Sequence, residues 1–215
     1  MSSIYSIASG FVFKWNIDIK RIIIPFLLMA ILFSFFRATY NYYQTIYEYY
    51  KIPVEFFGVF PVLFNVLASI GSQIYGRALG KISSEKRQIA FMGLVLLLST
   101  AAIYFINGLG SIVIGMIFVQ QIIRGILMSL NPIVVNAAIP KDTKHRTSYI
   151  SMFSLVNTGV AFCFIFLSGI ISENFDLFTS FTIIGFSSLI FLFLFNSRRN
   201  EIQELEIEAV DNYEI

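Results

Sequence analysis

The sequence predicts an all-α membrane protein, with six transmembrane helices arranged as a 3+3 inverted repeat, and three observations carry that prediction. The chain is 57% hydrophobic and only 13% charged, with a mean hydropathy of +0.76, well outside the composition of an ordinary soluble domain. Its apolar residues gather into six long runs, each near the ~20 residues that cross a hydrocarbon core of about 30 Å at roughly 1.5 Å per residue. Its Lys and Arg residues cluster in alternate connections between those runs, the pattern of cytoplasmic loops.

In chain order, residues 1–21 form a cytoplasmic lead-in with no early positive charge and no small-residue cleavage site, so no cleavable signal peptide is expected. Residues 22–196 form the transmembrane bundle. The spans run from about Ile22 to Ile46, Phe57 to Gly76, Gln88 to Ile106, Ser111 to Ile139, Ser148 to Ile171 and Leu177 to Asn196. Transmembrane strands would be shorter and would alternate in polarity, which these runs do not. Residues 197–215 form an acidic cytoplasmic tail in which Arg198 and Arg199 are followed by six acidic residues; a frayed state is expected there.

Charge orients the bundle. Lys14, Lys20, Arg21, Arg77, Lys81, Lys86, Arg87, Lys141, Lys144, Arg146, Arg198 and Arg199 fall on one side, and only Lys51 falls on the other. Both termini are therefore expected in the cytoplasm, with the chain in the cell (inner) membrane. Ala68, Ser72, Gly76 and Gly80 recur every fourth position on the second span, a ladder that lets another backbone approach. Pro132 is expected to kink the fourth span.

Polar residues inside the runs concentrate on the first and fourth spans. Arg37, Asn41, Gln44 and Glu48 follow a 4, 3, 4 spacing and share one helical stripe, flanked by Ser34 and Tyr40. Gln120, Arg124 and Asn131 are expected to form a comparable stripe on the fourth, with Gln121 and Met128 at its edge. An arginine at mid-membrane costs roughly 2.5–3.5 kcal/mol on insertion scales, so two at matched positions point to a polar pathway. The alternative is a structural clamp, each arginine bonding helix carbonyls or a carboxylate. Of the tyrosines toward the outer end of the first span, Tyr40, Tyr42, Tyr43, Tyr47, Tyr49 and Tyr50, most are expected to anchor at the interface, while Tyr40 and Tyr47 fall near the stripe.

These patterns bound the chemistry. Cys163 is the only cysteine, which excludes an intrachain disulfide and a thiol-pair metal site, and no cofactor or metal is expected. All thirteen acidic residues lie in loops or at span ends, so the chain carries no mid-membrane carboxylate relay. Asp142 and His145 are the only acid and histidine close in sequence, and their Lys-rich loop reads as an anchor, so an enzyme is not expected. Two guanidinium groups with no fixed negative charge favour an anionic solute such as a carboxylate or phosphate.

The segment Asn131 to Ser151, NPIVVNAAIPKDTKHRTSYIS, resembles the stretch of major facilitator superfamily (MFS) transporters where the tenth helix ends, a basic loop follows, and an Arg and a Ser open the eleventh, here Arg146 and Ser151. Gln44 with KIPVEFFG, in which Gly58 restarts the apolar run, is similar to the passage from the seventh to the eighth helix of that family. GRALGKISSEKR, from Gly76 to Arg87, is similar to its basic loop between the eighth and ninth. The resemblance implies the carboxyl-terminal six-helix half of a twelve-helix secondary transporter. It also implies that Arg37, Asn41, Gln44, Gln120, Arg124 and Asn131 face a central cavity where solute binds, with Tyr40 beside them. The expected partners are the lipid bilayer, a small-molecule solute, and a separate amino-terminal half or a second copy, and no nucleic acid. An inactive remnant of a split gene, and a non-transporting assembly or scaffold protein, stand as the alternatives.

Overall fold

Helix formation follows from long runs of Leu, Ile, Phe and Ala with their backbone groups satisfied internally, the condition for crossing lipid. The structure, a computed structural model, describes residues 17–79, 85–139, 146–190 and 193–194. Among them, α1 spans Ile17–Tyr49, a 3-10 turn spans Val54–Phe56, and α2 spans Val59–Ile74 and runs into a π-helical turn at Tyr75–Leu79. Then come α3 (Glu85–Phe105), α4 (Gly110–Ala138), α5 (Arg146–Asn174) and a shorter apolar helix, α6 (Leu177–Ile190). Five of these helices are long and apolar enough to cross a membrane. The lead-in through residue 16, Gly80, the loop holding Lys141, Asp142, Lys144 and His145, and the acidic tail lie outside the described residues.

α1 is the central post, and the most extensive helix pairings are α2 with α4 and α1 with α5, followed by α3 with α4 and α1 with α4. Its inward residues Leu28, Leu32, Phe35, Tyr43 and Ile46 join Phe64 of α2, Leu96 of α3, Leu127 of α4 and Phe181 of α6 in one apolar core. Pro25 and Pro132 both sit within continuous helices. α1 ends in a Schellman motif: the N–H of Ile52 bonds the Tyr47 carbonyl at 3.0 Å and that of Lys51 bonds the Glu48 carbonyl at 2.9 Å. Lys51 takes the left-handed conformation, φ 54°, that this cap usually reserves for glycine. Just beyond α1's last residue, the Tyr50 hydroxyl donates to the Asn107 carbonyl, and its ring covers Gly110 at the start of α4.

α2 and α4 meet backbone to backbone. A Cβ placed on Gly125 would lie 1.8 Å from the Ala68 carbonyl oxygen, and one on Gly71 would lie 2.0 Å from that of Ile122. Ser72 and Ser129 then hydrogen-bond across the seam at 2.6 Å. The small-residue ladder is thus only partly a packing stripe. Ala68 and Ser72 lie on the seam, but Gly76 faces open space, and the unpredicted pair Gly71 and Gly125 makes the closest approach. Between α1 and α5 the fastening is polar, since Tyr42 donates to the Ser168 carbonyl at 3.0 Å and lies 2.9 Å from the Ser172 hydroxyl. At α6, Asp176 caps the helix by accepting the Thr179 N–H at 3.1 Å.

Candidate functional site

Most hydroxyls inside the spans satisfy themselves on their own helix. Ser34 bonds the Ala30 carbonyl, Thr39 that of Phe35, and Thr100 that of Leu96. The groups that cannot do so are the guanidiniums and amides, and their placement decides which residues are available to a solute.

On α1 the expected stripe is present as one accessible face. Arg37, Tyr40, Asn41, Gln44 and Glu48 are exposed, while Ala38, Thr39, Tyr42, Tyr43, Ile46 and Tyr47 between them are buried. Gln44 donates to the Glu48 carboxylate at 3.2 Å, one helical turn away. Arg37 has no hydrogen-bond or ion-pair partner among the described residues. Ser34 departs from its expected flanking position and is fully buried. The tyrosines also divide differently from the expected belt. Tyr42, Tyr43 and Tyr47 are core residues, and Tyr47 stacks on Phe60 at 4.1 Å rather than standing beside the stripe.

On α4 the expected stripe splits. Gln120 is completely buried: its amide accepts from the Tyr43 hydroxyl at 3.2 Å and donates to Ser99 at 3.1 Å and Thr100 at 3.3 Å. Gln121 is buried too and donates to the Tyr43 hydroxyl at 3.2 Å. Both amides therefore close a polar knot between α1, α3 and α4, so Gln120 is not on an accessible face. The reason is that α4 packs against three helices, and the face shared by Gln120 and Gln121 points to the middle of them.

Arg124 is half-buried at the edge of that packing. One terminal nitrogen, Nη2, donates to the Phe64 carbonyl at 3.3 Å and to Asn65 Oδ1 at 3.1 Å, both on α2, while its Nε is buried without a partner. The phenols of Tyr40 and Tyr43 lie within electrostatic range of it. Two turns along, Asn131 is half-buried and its Oδ1 is unpartnered; Met128 between them is exposed. Of the two roles weighed for an intramembrane arginine, the clamp is present, since Arg124 holds α2 through one nitrogen; its Nε is left uncommitted. Asn65 was not anticipated, and its signal was a lone amide in the otherwise apolar first turns of the second span. Asn157 on α5, half-buried with an unpartnered Oδ1, was missed in the same way. Among the described residues no cluster of His, Cys, Asp or Glu could hold a metal ion.

At the end of the bundle where α4 finishes, Arg146 Nη2 donates to Asn136 Oδ1 at 2.9 Å, joining the foot of α5 to that of α4.

Five span-length apolar helices define an integral multi-pass membrane protein, with guanidinium and amide groups on partly accessible faces of α1 and α4. Residues 24–210 match the family model described as Major Facilitator Superfamily, and the chain belongs to that superfamily of transmembrane transporters, which are not enzymes. No curated protein and no solved structure matches the chain.

Proposed function

We propose that this chain forms one six-helix bundle of a major facilitator, corresponding to the carboxyl-terminal half of the fold, and that its exposed α1 stripe with Arg124 is one wall of a pathway for small organic or inorganic anions. The observation that carries the reading is the contrast on α1. This helix is the most buried of the spans, yet it holds Arg37, Tyr40, Asn41 and Gln44 on a bare face that lipid cannot solvate. Water, solute and a facing bundle relieve that cost together. The binding residues of the proposed wall are Arg37, Tyr40, Asn41, Gln44, Arg124 and Asn131, with Asn65 holding Arg124; Gln120 contributes from behind.

Helix pairing supports a 3+3 repeat. Exchanging α1, α2 and α3 with α4, α5 and α6 turns the α1–α5 pairing into α4–α2, and α3–α4 into α6–α1. All four occur, the last through Tyr42 against Phe181 and Tyr49 against Phe178. Triplets of this kind enter the membrane from opposite sides. With the basic loops inward, both termini are cytoplasmic and the chain lies in the cell membrane. The facing bundle is a separate amino-terminal half or a second copy.

The test is uptake into proteoliposomes holding the full chain, with and without the six-helix half encoded beside it if there is one. Labelled phosphate and succinate serve as anions and labelled glycerol as the neutral control. Uptake of an anion, reduced at least tenfold by Arg37→Gln and by Arg124→Gln, is the expected result. Transport of glycerol without competition from either anion refutes the assignment.

A further inference from the structure

Among the described residues Tyr43 is a buried polar junction, and it faces no pathway. It is 2% exposed, and its hydroxyl receives the Gln121 amide, donates to Gln120, and lies 3.5 Å from the Thr39 hydroxyl. Through Gln120 the connection continues to Ser99 and Thr100 on α3. Its ring has three further neighbours, one of them Phe181 of α6 at a centroid distance of 6.4 Å. It also meets the exposed Tyr40 ring edge-on at a centroid distance of 6.0 Å and the Phe64 ring edge-on at 5.5 Å. Phe64 supplies the carbonyl that accepts Arg124, and Gln121 precedes Arg124 by a single turn on α4. One buried phenol therefore touches the accessible Tyr40 on α1 and two neighbours of Arg124, Phe64 on α2 and Gln121 on α4.

We propose that Tyr43 is a positioning residue of the solute site, holding the Tyr40 ring and the Arg124 guanidinium in register from inside the bundle. The proposal rests on the reading that Arg124 faces the pathway. Alternatives for the hub fit less well. The bundle is already fastened by the α2–α4 seam and by Tyr42 on α5, and a solely adhesive residue in an apolar core needs no four-membered hydroxyl and amide junction, since apolar packing serves as well there. Buried polar networks instead fix a unique arrangement. The tyrosine hydroxyl also gives Gln121 a partner for its amide nitrogen while leaving Gln121 Oε1 and Arg124 Nε both uncommitted. Without that partner the Gln121 amide is released one helical turn from Arg124, changing the surroundings of the guanidinium.

The experiment measures modification of individual arginines by phenylglyoxal, read by peptide mass spectrometry on the full chain in lipid nanodiscs. In Tyr43→Phe, which keeps the ring contacts and removes only the hydrogen bonds, the Arg124 rate changes at least threefold while the Arg37 rate stays within its wild-type value. Gln121→Leu removes the same bond from the α4 side and produces the same selective change. Equal rates at Arg124 in wild type and in a folded variant overturn the proposal, as does a parallel change at Arg37 and Arg124. Loss of the fold in both variants also overturns it, assigning the junction to bundle stability alone. A second arm keeps the two readings apart: millimolar phosphate or succinate slows Arg124 modification in the wild type if the site takes anions. Absence of that protection with the selective change in Tyr43→Phe refutes the anion assignment and leaves the positioning role standing.

Discussion

Gly125→Ala is the sharpest perturbation that the α2–α4 seam allows. Its new methyl would lie 1.8 Å from the Ala68 carbonyl oxygen and 2.7 Å from the Ala68 Cα, all backbone atoms that no rotamer change can move. Contacts of a Cβ below 3.0 Å are essentially never seen, so the seam must open by about 1.2 Å or more at this point. That displacement carries Ser72 and Ser129 out of their 2.6 Å bond and strains the Arg124 bonds to Phe64 and Asn65. Overpacking costs about 1–3 kcal/mol, and a lost interhelical bond in a membrane about 0.6 kcal/mol, so the expected loss is roughly 2–3 kcal/mol. Reversible unfolding in mixed micelles, followed by near-ultraviolet circular dichroism, measures it. Gly115→Ala is the control, because a Cβ there meets nothing within 4 Å on the same helix. A Gly125→Ala protein within about 0.5 kcal/mol of the Gly115→Ala control refutes the reasoning, since surface changes fall in that range.

Four further outcomes follow from other parts of the bundle. Lys51→Gly relieves a left-handed non-glycine cap and stabilises the chain by about 1 kcal/mol in the same unfolding assay. Asp176 is held below the usual carboxylate range, first by the Thr179 side chain and then by backbone N–H groups at the start of α6. Its folded value lies below its unfolded one, so the stabilisation is fully present above about pH 4 and is lost as pH falls through the lower folded value; Asp176→Asn removes that acid-limb dependence from a stability titration. Gln120→Leu removes the acceptor for the Tyr43 hydroxyl and the amide donated to Ser99 and Thr100, each of which keeps another partner, and costs about 1 kcal/mol in micelle unfolding. Asn65→Ala removes one of the two Arg124 bonds and weakens phosphate or succinate affinity about threefold to tenfold by isothermal titration, with no comparable effect from Ser69→Ala on the same helix.

Five of the spans were legible in the sequence because crossing lipid demands length and apolarity, which a single chain displays without its neighbours; the sixth run is described as a shorter helix, Leu177–Ile190. The α1 stripe was legible for a related reason: Arg37, Asn41 and Gln44 sit at helical spacing, and no bundle interior would accept all three unpaired. α4 was not, because spacing fixes that Gln120, Arg124 and Asn131 lie along a helix without fixing which way its faces point. Three neighbours surround α4, and two amides could be absorbed if another helix offered hydroxyls at the right height; Ser99, Thr100 and Tyr43 do so. Tyr42, Tyr43 and Tyr47 misled for the same reason, since a tyrosine suits an interfacial belt and a core with a waiting acceptor equally well. Gly71 and Gly125 escaped notice because a close approach belongs to a pair of helices, whereas the ladder through Gly76 was visible on one.

The central claim is that the α1 stripe faces an aqueous pathway, and cysteine accessibility tests it most directly. In a Cys163→Ser background, single Cys substitutions at Arg37, Asn41 and Gln44 are exposed to a charged, membrane-impermeant methanethiosulfonate in proteoliposomes, beside Leu155 and Phe162 on the exposed apolar face of α5. Rapid labelling at the three α1 positions, with little at the two α5 positions, is the predicted result. Labelling of the α1 positions as slow as that of the α5 positions would contradict the account, placing Arg37 and its neighbours against lipid or a dry protein contact.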